Sequence, residues 1–360
     1  MILKSKQLNS YISGTGSALP ANVVTNRAFE NLLFYNKDGS VFEKPSNLVV
    51  RKLESITGIR ERRYISEDED SVPIMVKAAQ AALDDAGLEG NDLDGIIVAH
   101  NAGNMVPGIS SYHPVPNLAA HLKHGLGIGS PEMFAYDILF GCPGWLQAFI
   151  QAHQAIRNGD AVHVLVVGLE VASRMLDPHD VDSMIFADGC GATVISATDD
   201  NIGVQAYHTF SHAQDDLRNI YISGSNNADC PGDTYVKMNG REVYKYATTF
   251  LPQVIKKSLD KCKKSIADVD LFLFHQANEK MLEAIANRVA EAYDNLDFDF
   301  SAKIPMTIHT LGNTSVATIP TMMDFIRKGK MEDYNINKGD LVVFASVGAG
   351  MHCNAMVYQF

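Results

Sequence analysis

The second half of this chain runs through the same order of elements as the first, at a nearly constant spacing. Asp92-Leu93-Asp94 precedes one apolar run, and Asp268-Val269-Asp270 precedes another 176 residues later. Gly159-Asp160 is answered by Gly339-Asp340, 180 residues on. Between these pairs a turn at Cys142 falls opposite a turn at Asn313, 171 residues away. Similar order at a near-fixed offset marks an internal duplication. It restricts the chain to folds in which two like halves pack as pseudo-twins, here expected to divide into 1–200 and 201–360.

Within each half, helical patterns alternate with short apolar runs. In the first half, helices are expected over 71–86, ending at Gly87, over 115–125, and from Leu146 onward. Strands are expected over 93–99, 134–139 and 160–169. The second half reads as helices over 250–262, 279–293 and 316–327, with strands over 268–274, 339–346 and 354–360. Such alternation predicts an α/β architecture of mainly parallel sheets covered on both faces. Gly14-Thr15-Gly16, lacking a third glycine and a following helix, reads as a turn. A short helix is expected over 26–34 and a polar loop over 35–47. The charged stretch Arg60-Glu61-Arg62-Arg63 reads as a solvated turn, and Asp188-Gly189-Cys190-Gly191-Ala192 as a turn into a strand. The segment 100–116 is rich in Gly, Pro, Asn and His and long for a plain connection, which hints at function.

Charge and cysteine usage exclude several classes. A formal net charge of −12 argues against non-specific binding to nucleic acid or to an anionic membrane. No apolar run is long enough for a membrane span, and the first ten residues lack a signal-peptide core, so a cytoplasmic protein is expected. The cysteines at 142, 190, 230, 262 and 353 are odd in number, scattered and without a C-x-x-C pair. That pattern fits a reduced protein without a zinc site or disulfide framework.

The turn Phe140-Gly141-Cys142-Pro143-Gly144-Trp145 carries the chemistry. Cys142 lies where a strand passes into a helix, with Pro143 suited to the first helical position. The positive end of a helix favours an anion, and a thiolate is one. His275 follows the strand over 268–274, and Asn313 follows a strand-like run at 308–310. Ligand sites of α/β sheets lie beyond strand ends, so the duplication predicts that Cys142, His275 and Asn313 converge. A histidine can exchange a proton or donate to an oxyanion; an asparagine cannot exchange protons, but its NH2 can donate. Gly348-Ala349-Gly350 could bring backbone N–H groups close to an acyl carbonyl. The set suits acyl transfer from a thioester through an acyl-cysteine.

These residues resemble a known family. His275-Gln276-Ala277-Asn278 and Gly312-Asn313-Thr314-Ser315-Val316-Ala317-Thr318-Ile319-Pro320 are similar to motifs of the ketoacyl synthase III branch of the thiolase superfamily, the 3-oxoacyl-(acyl carrier protein) synthases III. Thr57-Gly58-Ile59 with its arginines, Asp188-Gly189-Cys190-Gly191-Ala192 and Gly348-Ala349-Gly350 match in order. The resemblance implies a five-layer αβαβα fold and a homodimer. It implies Cys142 as the acylated nucleophile, with the amides of Cys142 and Ala349 as the oxyanion hole. His275 and Asn313 would bind the thioester carbonyl of a malonyl-type donor as it loses CO2, and the resulting carbanion would attack acyl-Cys142. No metal or redox cofactor is implied, the substrates being coenzyme A or acyl carrier protein thioesters. An acidic carrier protein would dock near the helix after the histidine motif, with Lys280 as its contact.

Two departures bear on substrate. The family's usual Ala-Cys-Ser-Gly-Phe is here Gly141-Cys142-Pro143-Gly144-Trp145, and an early Asp-Glu-Trp segment is replaced by Asn47-Leu48-Val49-Val50. They put an acetyl-coenzyme A primer in question, and a longer acyl or 3-oxoacyl chain fits as well, in fatty acid or specialised lipid and polyketide synthesis. The alternatives are a non-catalytic subunit of a heterodimeric synthase and a non-decarboxylative head-to-head condensing enzyme. A degradative thiolase needs a second catalytic cysteine where Ala345-Ser346-Val347 stands, and a papain-like protease needs a local signature that the Pro143 turn lacks.

Overall fold

The computed structural model describes residues 8–106, 112–230 and 234–360. Two sheets form its framework. The first has the strand order Asn9–Ala18, Asp188–Thr198, His163–Val171, Gly95–Ala99, Phe134–Ile138. The second has the order Leu271–Phe274, Leu341–Gly348, His352–Gln359, Gly203–Ser211. In each, a short strand pairs in parallel with a long one (Gly95–Ala99 with His163–Val171, Leu271–Phe274 with Leu341–Gly348), and the long one pairs antiparallel with the next. The repeat read from the sequence is therefore a repeat of sheet topology.

The sheets are mixed, where alternation of helices and strands predicted mainly parallel pairing. A parallel neighbour needs a crossover, usually a helix. His163–Val171 and Asp188–Thr198 are joined only by short 3-10 turns, and Leu341–Gly348 and His352–Gln359 by the three residues Ala349–Met351. Both returns are therefore antiparallel.

Five layers result. Helices Gly144–Asn158 and Thr318–Arg327 lie between the sheets. Their apolar faces share one core with Ile97, Val164 and Val166 of the first sheet and Leu273, Val342 and Phe344 of the second. Helices Val72–Ala86 and Leu118–Gly125 cover the outer face of the first sheet. Helices Gly240–Lys261 and Glu279–Ala292 cover that of the second. Among the described residues, no helix is long and apolar enough to cross a membrane.

Several local expectations change. Gly14 and Gly16 lie inside a strand, not a turn. A Cβ on either would come within 2.2 Å of the Ala82 or Ala78 carbonyl, so these glycines let helix Val72–Ala86 lie flat on the sheet. The stretch 188–192 is strand from its first residue, with Gly191 packed under Pro320 and Thr321. Arg62 is wholly buried in strand Glu61–Tyr64 and donates to Asn26 Oδ1 (2.8 Å) and to the Val24 and Met184 carbonyls. The helix expected over 26–34 is a single 3-10 turn, Asn26–Phe29, and a helix not foreseen spans Ser46–Thr57. Ile308–Leu311 is a helical turn. Asn313 thus does not follow a strand, although it makes an isolated parallel bridge with Phe186.

Candidate active site

Edge strand Phe134–Ile138 delivers the chain to the turn at Cys142. The Phe140 ring stacks on His352, with centroids 4.1 Å apart. Gly141 adopts φ +62°, open to glycine at little cost, and the helix begins at Gly144. Pro143 is the residue before that helix, one position earlier than expected. A Cβ on Gly141 would lie 2.5 Å from Ala349 N, and one on Gly348 would lie 2.4 Å from Cys142 N. The two turns meet backbone to backbone, which puts the amides of Cys142 and Ala349 in one place.

Ser315 ties the remaining groups to the thiol. Its backbone is held at φ +50°, a strained value for a residue with a side chain. Its amide donates to Asn313 Oδ1 (2.8 Å) and its hydroxyl donates to Cys142 Sγ (3.3 Å). Asn313 is buried and fixed through its own backbone, donating to the Ile185 carbonyl (3.0 Å) and accepting from the Ala187 amide (2.8 Å). With Oδ1 engaged, the carboxamide NH2 is the group left to meet an oxygen of a ligand. His275 lies at the end of Leu271–Phe274, its amide bonded to the Ala345 carbonyl (2.9 Å). Its Nδ1 is buried without a partner.

Electrostatics set the resting protonation. Burial pushes the Cys142 thiol up to about 12; the Ser315 hydroxyl opposes this and the Glu170 charge adds to it. Burial pushes His275 down to about 4, against the pull of the Ser315 backbone. The resting pair is therefore a thiol beside a neutral imidazole, and a thiolate has to be created when the acyl donor arrives. The neutral imidazole suits donation of a hydrogen bond to a carbonyl oxygen.

Cys142 opens on a cavity of about 450 Å3. Its walls are almost entirely apolar, with Met105, Met175, Phe186, Ile220, Ile222 and Val236 among them. Strands Ile220–Ser223 and Tyr235–Met238 form one wall as a two-stranded ribbon. The buried Lys237 ammonium anchors it, donating to Asp177 (2.5 Å), Asp180 (3.0 Å) and Asn226 Oδ1 (2.9 Å). Asn101, Glu170, Ser315 and Ala349 bring polar atoms to the end of the cavity near the thiol.

The structure brings together Cys142, His275, Asn313 and Ala349. Lys280 stands apart, exposed in the first turn of Glu279–Ala292, beside the Glu279–His309 contact of 3.2 Å. Trp145 is buried between the sheets against Phe149 and Phe344 and does not line the cavity. Part of the unusual segment 100–116, residues 107–111, lies outside the described residues. Sequence reasoning assigned no role to Ser315, Glu170 or Asn101. The signal for Glu170 was present: a single carboxylate in a strand, His163–Val171, that is otherwise apolar after its first residue.

Residues 136–213 match the family model described as 3-oxoacyl-(acyl-carrier-protein (ACP)) synthase III, and residues 259–360 match the model of its C-terminal part. A beta-ketoacyl-(acyl-carrier-protein) synthase III of Brucella anthropi is 31% identical over 359 residues, spanning 98% of this chain and 100% of that protein. The protein of the same name from Staphylococcus aureus strain Newman is 29% identical, over 98% and 99% of the two chains. The crystal structure of 3-oxoacyl-(acyl-carrier-protein) synthase III from Aquifex aeolicus VF5 superposes with a TM-score of 0.79 at 28% identity, covering 98% of this chain and 100% of that one. With the duplicated mixed sheets, the buried central helices and a cysteine at the head of one of them, these likenesses show that the chain belongs to the 3-oxoacyl-(acyl carrier protein) synthase III family of the thiolase superfamily.

Proposed function

We propose that this enzyme loads an acyl chain of medium to long length onto Cys142 and condenses it with a malonyl-type thioester on acyl carrier protein. The observation that carries this reading is the apolar cavity of about 450 Å3 opening at the thiol. A methylene fills about the volume of a liquid water, about 30 Å3, so the space takes on the order of a dozen carbons. An acetyl group would leave most of it empty.

The reaction divides into two transfers. Cys142 attacks the acyl thioester, the amides of Cys142 and Ala349 hold the tetrahedral oxyanion, and the carrier thiol leaves with the proton that Cys142 gives up. The malonyl-type donor then binds with its thioester carbonyl at His275 and the Asn313 NH2. Loss of CO2 leaves an enolate held by these two donors. Its carbon attacks acyl-Cys142, giving a 3-oxoacyl thioester and returning the sulfur, which takes up a proton. His275 acts throughout as a neutral donor, in keeping with its lowered pKa.

A carboxylate base for a non-decarboxylative, head-to-head condensation finds less support. Glu170 is the carboxylate at the cavity, and its oxygens already accept from Asn101 N (3.3 Å), Asn101 Nδ2 (2.8 Å) and Ala102 N (2.6 Å). The intact Cys142, His275 and Asn313 speak against a non-catalytic partner subunit. No metal or redox cofactor has a place in either transfer. The acidic carrier would dock at the first turn of Glu279–Ala292, which carries Lys280, where the exposed Arg51 and Arg60 line one surface depression with Glu279. Edge strand Phe134–Ile138, with Leu139 59% exposed beside the cavity, would pair with a second copy. The halves 1–200 and 201–360 would fold as one unit, because helices of both share the central core. Cys142, Cys190, Cys262 and Cys353 are free thiols, which suits the cytoplasm.

Intact-mass analysis with a panel of acyl thioesters tests the reading. One acyl group of about eight to fourteen carbons should appear on the parent protein and vanish in Cys142→Ala. His275→Ala and Asn313→Ala should still acylate but release no CO2 from the malonyl donor. Preferential loading of acetyl, or condensation by Cys142→Ala at the parental rate, would refute it.

A further inference from the structure

Three polar side chains run in a line from the interior of the first sheet to the nucleophile. Glu170 is buried at the end of strand His163–Val171. Asn101 stands just beyond strand Gly95–Ala99. Its Nδ2 donates to Glu170 Oε2 (2.8 Å) and also to Ser315 Oγ (3.2 Å). Ser315 Oγ in turn donates to Cys142 Sγ (3.3 Å).

The donors and acceptors admit one arrangement. Glu170, ionised, only accepts, so the nitrogen of the Asn101 carboxamide must face it. That nitrogen carries two hydrogens: one meets Glu170, the other Ser315 Oγ. The Ser315 oxygen is then an acceptor on the Asn101 side, and its own hydrogen is directed to sulfur. A hydroxyl polarised in this way is a better donor than an isolated one. A thiol gains little from such a donor, whereas a thiolate gains a charge-assisted hydrogen bond. Glu170 alone would repel the thiolate. Its three N–H donors spread that charge, and Asn101 supplies two of them.

We propose that Asn101 is a positioning residue for the nucleophile: braced by Glu170, it sets the Ser315 hydroxyl to donate to Cys142 and so favours the thiolate on which both transfers depend. The role rests on Cys142 being the acylated cysteine. It gives a use to the segment 100–116, whose length and composition marked it out. Glu170 is the charged group that acts on Cys142; in Asn101→Ala it loses the Nδ2 donor and keeps the two backbone donors, while His275 is held by the Ser315 backbone and not by Asn101.

The experiment is alkylation of Cys142 by iodoacetamide, followed by intact mass with peptide mapping, without any thioester. Parent, Asn101→Ala, Ser315→Ala and the double variant are compared between about pH 6 and pH 9, where the rate follows the thiolate fraction. Each single substitution should slow alkylation about tenfold at every pH, a displacement of the log rate line by about one pH unit. The double variant should be no slower than the slower single, because the two act through one hydrogen bond. A parental alkylation rate in Asn101→Ala, or losses that multiply in the double variant, would overturn the proposal. If Asn101→Ala does not fold, Asn101→Ser keeps the backbone donor to Glu170 Oε1 and a polar side chain, but its hydroxyl ends one bond short of the place of Nδ2, which makes both side-chain bonds. It should show the same slowing, and a parental rate in it counts against the proposal equally. Absence of any acyl mass on Cys142 with the thioester panel would refute the condensing reading; an unchanged alkylation line would refute only the role of Asn101.

Discussion

Replacing Gly348 by alanine tests whether the close meeting of the two turns is what builds the site. Gly348 is extended (φ −169°), so the backbone itself tolerates alanine. The obstacle is space. The new methyl would lie 2.4 Å from Cys142 N, 2.7 Å from Pro143 Cδ and 3.0 Å from Cys142 Cβ. Ordinary contact begins at 3.4 Å, so the turns must part by about 1 Å. None of these neighbours is the tip of a flexible side chain, and the strain should cost about 1–3 kcal/mol of stability. A displacement of about 1 Å at the reacting centre is enough to lose about 100-fold in rate. The rate of acyl-Cys142 formation, followed by rapid quench and intact mass well below the melting temperature, separates the two effects. Gly129→Ala is the control: a Cβ there meets nothing within 4 Å, so it should acylate at the parental rate and melt no lower. If Gly348→Ala acylates as fast as the parent while folded, the amides of Cys142 and Ala349 do not form the oxyanion hole.

Two further outcomes follow from buried charge. Lys237→Met leaves Asp177 and Asp180 buried without their cation and should lower stability by about 3–5 kcal/mol, read as a fall in Tm. It should also slow loading of long acyl thioesters, because the Lys237 ribbon walls the cavity. A parental Tm would contradict the anchoring role. The second concerns pH. Burial holds His275 and His153 near 4, below the usual 6.5, so the unfolded chain takes up their protons first and stability falls as pH drops from about 6.5 towards 4. Asp188, pushed up to about 6 by burial, has the opposite sign and adds stability below pH 6 that is lost as pH rises through 6. Between pH 7.5 and pH 5 each histidine removes about 2 kcal/mol and Asp188 returns about 1 kcal/mol. His153→Gln should therefore reduce the acid loss by about 2 kcal/mol in urea unfolding; an unchanged pH slope would show that His153 is protonated in the folded state.

The fold was legible in the sequence to the extent that packing is periodic. Helix Val72–Ala86 and strand Leu271–Phe274 follow directly from apolar spacing and their glycine or aspartate boundaries. The glycines of strand Asn9–Ala18 misled, because a close helix–sheet contact and a turn make the same local demand. Arg62 misled for a related reason. A run of charges reads as solvated, and only the carbonyls of Val24 and Met184 closing on its guanidinium allow it to be buried. The segment 200–240 carries little periodicity, yet it supplies strand Gly203–Ser211 and the ribbon over the cavity.

The site divides in the same way. Sequence alone determined the duplication, the cysteine at a helix start, and the two motifs that carry His275 and Asn313, because these depend on local backbone demands and on residue identity. Tertiary structure alone decided what each of them meets. Ser315 reaches Cys142 across 173 positions, Asn101 reaches Ser315 across 214, and Gly348 touches Cys142 only because two sheets share one layer of helices. Hydrogen bonds and desolvation act over a few ångströms of space, and separation along the chain carries no record of that distance. The size of the cavity, the protonation of the thiol and the partner of each carboxylate therefore came only from the folded molecule.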